Sequence, residues 1–185
     1  FYTTHPNEEP IKGIKKMKQT DNFKFDEANV MNELVYRNLS EDAKRQICAW
    51  KYGGEYDLYN LPAYEEMQVR QIGFMNPKSE KNYYGFWDES ILVGFVNILE
   101  EKEEVFIGIG VNPDLCNKHY GQRMLLITYE ISKKLYPNKP LYLEVRTWNI
   151  RAVKCYQKAG FRIDGQAYEL TTGIGTGTFY RMIRE

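Results

Sequence analysis

The sequence predicts an α+β fold built on a mixed, mostly antiparallel sheet. Three observations carry that reading. Apolar segments separated by short polar connectors run from Tyr83 to Val111, the signature of a strand meander. The apolar period then lengthens to a helical one after Pro113. Strand alternation returns at Leu141, Leu143 and Val145, so a β-α-β-α unit sits in the middle of the chain. The 185 residues suffice for one domain with a full core. Residues 1–30, polar and carrying Lys12, Lys15, Lys16 and Lys18, read as an irregular N-terminal extension, and 31–185 as the domain.

Each element follows in order. Leu34 to Arg37 reads as a short strand. Ser40 stands where an N-cap belongs, with Glu41 and Asp42 in the first turn and Ala43, Ile47 and Trp50 at helical spacing. Gly53, Gly54 and Pro62 interrupt any long helix between Trp50 and Tyr64. Tyr83–Trp87 and Ile91–Leu99, joined at Asp88-Glu89, form a hairpin. An acidic turn from Glu100 to Glu104 leads to a third strand, Val105–Val111. Met124, Leu125, Ile127, Ile131 and Leu135 mark one face of a helix that stops before Pro137. Ala152–Lys158 is helical and stops at Ala159-Gly160. Short strands follow Phe161, and Gly173-x-Gly175-x-Gly177 reads as a hairpin turn, because no helix follows it.

Composition narrows the function. Twenty-five Lys and Arg balance twenty-five Asp and Glu, so no global positive field gathers nucleic acid. Three cysteines without CxxC spacing and two histidines argue against a zinc site or a disulfide framework, and no metal is expected. No apolar run approaches the roughly 18 residues of a membrane helix, so a cytoplasmic protein without a membrane partner is expected.

The segment Gly110 to Gly121 joins a strand to the longest helix. A turn there aims unpaired backbone N–H groups and the helix dipole at one point, which suits an anion such as pyrophosphate. By itself this signal is weak, and an ordinary strand–helix loop is the better explanation. The segment Leu143-Glu144-Val145…Asn149…Arg151-Ala152…Tyr156…Lys158…Gly160-Phe161 changes that balance. Together with the loop pattern Val111-x-Pro113…Gly121, it resembles the GNAT superfamily of acetyl-CoA-dependent N-acetyltransferases, including the ribosomal-protein alanine N-acetyltransferases. The likeness covers residues 32–185 and is most specific over 105–162.

The resemblance implies helices on both sheet faces, with the strand ending at Val111 splayed from the strand starting at Leu141. It also implies acetyl-CoA between these strands. The pantetheine would pair with backbone at Ile109 and Val111, with an oxyanion donor at Ile109 or Gly110. Cys116, Asn117, Lys118, His119, Tyr120, Gly121 and Gln122 would surround the pyrophosphate, with Asn149, Ala152, Tyr156 and Lys158 completing the cofactor site. The loop departs from the family pattern: Cys116 replaces a Gln or Arg, His119 replaces a glycine, and only Gly121 matches. His119 must then adopt left-handed backbone or reshape the loop, and a place beside the pyrophosphate would favour its protonated form.

Acetyl transfer to an amine needs an oriented thioester, an oxyanion donor, a base for the ammonium and an acid for the leaving thiolate. The resemblance assigns the acid to Tyr156 and the base, through water, to Glu144, which precedes Tyr156 by twelve residues. Glu144 has a second reading, a strand carboxylate paired with Arg146 or Arg151, and Glu100, Glu101 and Glu104 are alternative acids. Asn149 positions the pantetheine, caps the following helix, or does both. Cys155 reads as core. Tyr56, Asp57 and Tyr59 form either an acidic, aromatic wall for a cationic acceptor or packing between elements. The acceptor expected is a small cationic amine, with a peptide or ribosomal-protein N-terminus as the alternative. A non-catalytic acyl-CoA sensor and an interaction protein also stand open, as does a homodimer.

Overall fold

The computed structural model describes residues 34–185, so the N-terminal extension with its lysines lies outside the described residues. Strands β1 (Val35–Asn38), β2 (Tyr83–Asp88), β3 (Ile91–Glu100), β4 (Val105–Val111), β5 (Leu141–Arg146), β6 (Arg162–Ile163), β7 (Tyr168–Thr172) and β8 (Gly175–Arg184) form one sheet. Its order is β1-β2-β3-β4-β5-β8-β6, with β7 also on β8. Only β4 and β5 run parallel; every other pair is antiparallel. The helices are α1 (Glu41–Ala49), α2 (Tyr64–Arg70), α3 (Tyr120–Leu135) and α4 (Ile150–Lys158). Among the described residues no helix is long and apolar enough to cross a membrane, and no three potential metal ligands come together.

Two cores flank the sheet. Met124, Leu125 and Ile131 of α3 and Val153 of α4 pack on Val96, Ile107, Leu143 and Val145. On the other face Ala43, Ile47 and Met67 of α1 and α2 pack with Phe74, Trp87 and Leu92. Side-chain alternation along β3 sends Val96 and Ile98 to the first core and Phe95 to the second.

Local signals set most boundaries. Ser40 accepts a hydrogen bond from the Ala43 N–H and caps α1. Gly160, at φ +87°, ends α4 in the left-handed conformation that glycine adopts without strain. No long helix crosses 50–64, and α2 begins only at Tyr64, with an N-cap, Ala63, that offers no capping side chain. Three expectations are corrected. Trp50 lies beyond the last turn of α1, where its N–H bonds the Ile47 carbonyl. Leu135 is 49% exposed, and Thr128 and Ser132 share the buried face of α3 instead. After Phe161 the strands are not all short, since β8 spans ten residues and pairs with three partners.

Candidate active site between the splayed strands

Strands β4 and β5 pair only at Val105↔Leu141 and Phe106↔Tyr142. Beyond those two rungs they part, while β4 keeps its full register with β3 and β5 its full register with β8. The opening therefore sacrifices only the inner ladder. The backbone in the gap follows from strand alternation, because N–H and C=O of one residue point the same way and successive residues alternate. Val105 N–H bonds Pro140 on the β5 side, at 2.9 Å, and Asn112 N–H bonds Val93 on the β3 side, also at 2.9 Å. Ile109 and Val111 consequently aim their polar groups into the gap, whereas Gly110 aims its own at β3. Of the two expected oxyanion donors, only Ile109 faces the opening.

A cavity of about 790 Å³ occupies the wedge. It is lined by Ile109, Gly110, Val111, Cys116, Asn117, His119, Tyr120, Gly121 and Gln122 from the β4–α3 side, and by Glu144, Asn149, Ala152, Tyr156 and Lys158 from β5 and α4. The fold thus brings together every expected cofactor residue except Lys118, which is exposed and does not line the cavity.

The loop ahead of α3 is shaped without the glycines. Asn117 and His119 adopt left-handed backbone at φ +65° and +64°, and His119 becomes the N-cap. The first bond inside α3 runs from Arg123 N–H to the His119 carbonyl, at 3.1 Å. Among the described residues the N–H groups of Asn117 through Gln122 have no acceptor in the chain. Six consecutive free donors at a helix N-terminus form an anion cradle. Arg151, Lys154, Lys158 and His119 line the same cavity, whose single described carboxylate is Glu144. Side chains there have structural duties too: Tyr120 donates to Asp88 at 2.7 Å, and Gln122 to the Lys158 carbonyl at 3.3 Å. A Cβ on Gly121 would stand 3.0 Å from Cys155 Sγ and 3.4 Å from Val111. Its bareness thus serves the close packing of α3 on α4 and β4.

Asn149 caps α4, accepting from Ala152 N–H at 3.2 Å, and its amide nitrogen donates to Tyr59 at 3.3 Å. The Tyr156 hydroxyl has no hydrogen-bond partner among the described residues, and burial pushes its pKa above that of an ordinary phenol. Burial likewise raises the thiols of Cys116 and Cys155, which favours their protonated form.

Glu144 is not paired with Arg146 or Arg151. Its carboxylate accepts from Tyr168 at 2.6 Å, and burial and that carboxylate together raise the tyrosine pKa. Arg146 instead donates to the carbonyls of Ile174, Gly175 and Thr176, in space that a Gly177 Cβ would fill. The other candidate acids stand outside the cavity: Glu100 meets Lys139, Glu104 meets Arg181, and Glu101 accepts from Tyr142.

Of the expected acceptor residues only Tyr59 lines the cavity. Tyr56 and Tyr59 pack on Trp148, with ring centroids 5.6 and 6.0 Å away, and Arg151 covers Tyr56 at 4.1 Å. The stretch Gly54–Tyr59 therefore packs as a clasp on the β5–α4 turn, with Tyr59 also facing the cavity. Sequence reading missed Tyr52, whose hydroxyl donates to the Val111 carbonyl at 2.7 Å. It also missed Tyr168, and the wall formed by Trp50, Leu61, Phe95 and Phe106.

The open wedge, the parallel pair closing its narrow end and the anion cradle define an acyltransferase architecture. A sequence model of the acetyltransferase (GNAT) family matches residues 44–161, and the chain belongs to that family. No curated protein matches the sequence. Among solved structures, the chain is similar to spermidine N-acetyltransferase from Vibrio cholerae in complex with CoA and spermine, at 17% identity and TM-score 0.66, covering 82% of this chain and 95% of that one. It is also similar to a GNAT-family acetyltransferase from Streptococcus pneumoniae, at 24% identity and TM-score 0.60, covering 82% and 98%. AAC(6')-Ib in complex with ribostamycin and coenzyme A aligns at 16% identity and TM-score 0.62, covering 80% and 92%.

Proposed function

We propose that this acetyltransferase moves an acetyl group from acetyl-CoA to the primary amine of a small molecule. The observation that carries the reading is the wedge itself, with the backbone of Ile109 and the N–H of Val111 left open to it beside a row of free N–H donors, while the Val111 carbonyl is held by Tyr52. The residues present fit the cosubstrate: a diphosphate suits the donors of 117–122 with Lys154 and Lys158, and an extended amide chain suits the open edge of β4. Acetyl-CoA supplies an activated acyl group. The chain's residues supply the rest. Ile109 N–H faces the position where charge develops on the acyl oxygen. Glu144, across the gap on β5, takes the ammonium proton directly or through water. Tyr156, with its hydroxyl uncommitted, gives a proton to the departing sulfur. Asn149, locked between Ala152 and Tyr59, fixes the start of the helix that carries Tyr156.

Release of free thiol from acetyl-CoA in the presence of a primary-amine panel tests the reading. Thiol should appear only with amine, and Tyr156→Phe should slow it about 100-fold or more. Stabilisation of the fold by acetyl-CoA without thiol release from any amine would contradict it.

A further inference from the structure

The cavity does not end at the wedge. It continues through the sheet to the face where α1 and α2 pack, and there Ile47, Trp50, Leu61, Phe95 and Phe106 line it. Strand alternation explains the space. Val105 and Ile107 of β4 enter the core on the α3 side, so Phe106, Gly108 and Gly110 face the other way. Two of those three positions carry no side chain. A Cβ on Gly110 would stand 2.5 Å from the Phe95 ring. A Cβ on Gly108 would find only ordinary contacts, 3.6 Å from Asn97 and 3.7 Å from Phe106. The result is a trough floored by bare backbone and walled by rings already packed on one another. Trp50 lies 6.2 Å from Phe95, Phe74 lies 5.9 Å from Phe95, and Phe106 lies 5.4 Å from Tyr142.

We infer that the acceptor is a monoamine with an apolar body, a phenylalkyl or alkyl amine, and not a polycation. The inference rests on the acetyl-transfer reading and names the substrate class of the same site. One ammonium finds one described carboxylate, Glu144, and among the described residues the walls beyond it offer apolar area but no second acid. Two rings of this region are also engaged, Tyr56 by Arg151 and Trp50 by Phe95. A second or third ammonium would lose its water against Leu61 and Phe95 with no charge to replace it, which is the costliest exchange a pocket can impose. An apolar body is instead stabilised by leaving water.

The test compares kcat/KM for thiol release by the full chain with acetyl-CoA and phenethylamine, hexylamine, spermidine or kanamycin, with acetylated products confirmed by mass spectrometry. Phenethylamine should exceed spermidine by about tenfold or more. Leu61→Glu, which puts a second carboxylate in the wall, should shift that ratio towards spermidine by about tenfold, and Leu61→Gln should not. Equal rates, or a preference for spermidine or kanamycin in the unaltered chain, would overturn the inference while leaving acetyl transfer intact. Thiol release with none of the amines, while acetyl-CoA raises the melting temperature, would overturn the acetyl-transfer reading and this inference with it.

Discussion

The hydroxyl of Tyr52 donates to the carbonyl of Val111, 59 residues away, at 2.7 Å. The same stretch reaches the other strand through Tyr59, whose hydroxyl accepts from Asn149 at 3.3 Å. One segment therefore ties the end of β4 to the turn after β5, across the mouth of the wedge that separates them. Its own base is set by Asn60, which bonds both the N–H and the carbonyl of Tyr52, at 2.6 and 3.1 Å.

Tyr52→Phe removes one neutral hydrogen bond and leaves a half-buried carbonyl without its donor. The expected cost is about 1 kcal/mol. Thermal unfolding should show a melting temperature lower by roughly 2–4 °C. An unchanged melting temperature would mean that the strap is not anchored there.

The pH dependence of the reaction follows from Tyr156. Burial raises its pKa, so the acid form persists to higher pH than a free phenol near pKa 10 would allow. Measured kcat should show no loss on the basic side up to about pH 9.5. A fall centred near pH 8 would assign the acid to another group.

Glu144→Gln removes the proposed base but keeps the size of the side chain. The deficit in kcat/KM should be about 100-fold at pH 7, where a primary amine is mostly protonated, and should shrink as the pH approaches the amine's pKa near 10. Tyr168→Phe frees the same carboxylate of its only described hydrogen-bond donor, so kcat/KM should fall through lost positioning of Glu144, by less than Glu144→Gln costs. A deficit for Glu144→Gln that stays constant with pH would place Glu144 in a structural role.

Gly108→Ala separates the trough from the fold. The added methyl meets only ordinary contacts, so stability should hold or rise by about 0.4–1 kcal/mol. The acceptor KM should increase while the acetyl-CoA KM stays unchanged, measured by initial rates with each substrate varied. Gly110→Ala, whose methyl would strike the Phe95 ring, should lower the melting temperature as well.

Much of this arrangement was legible before any coordinates. The meander, the longest helix and the segment from Leu143 to Phe161 are local patterns, and local patterns carry the wedge and the two side chains proposed for proton transfer. The loop was legible as a position but not as a shape, because Asn117 and His119 take the left-handed backbone that two glycines would otherwise provide. The clasp was illegible for a physical reason: Tyr52–Val111 and Tyr59–Asn149 join residues 59 and 90 positions apart, and such contacts leave no periodicity behind. Helix α2 lacked a start signal because Ala63 caps nothing. The trough did leave a trace, the alternate glycines 108 and 110 inside an otherwise apolar strand.

A crystal structure of the chain with CoA tests the central claim most directly. The expected density runs between β4 and β5 beyond Phe106 and Tyr142, with the diphosphate on the N–H groups of 117–122 and the sulfur within reach of Tyr156. Coenzyme A bound elsewhere, with the two strands paired past those rungs, would contradict the account.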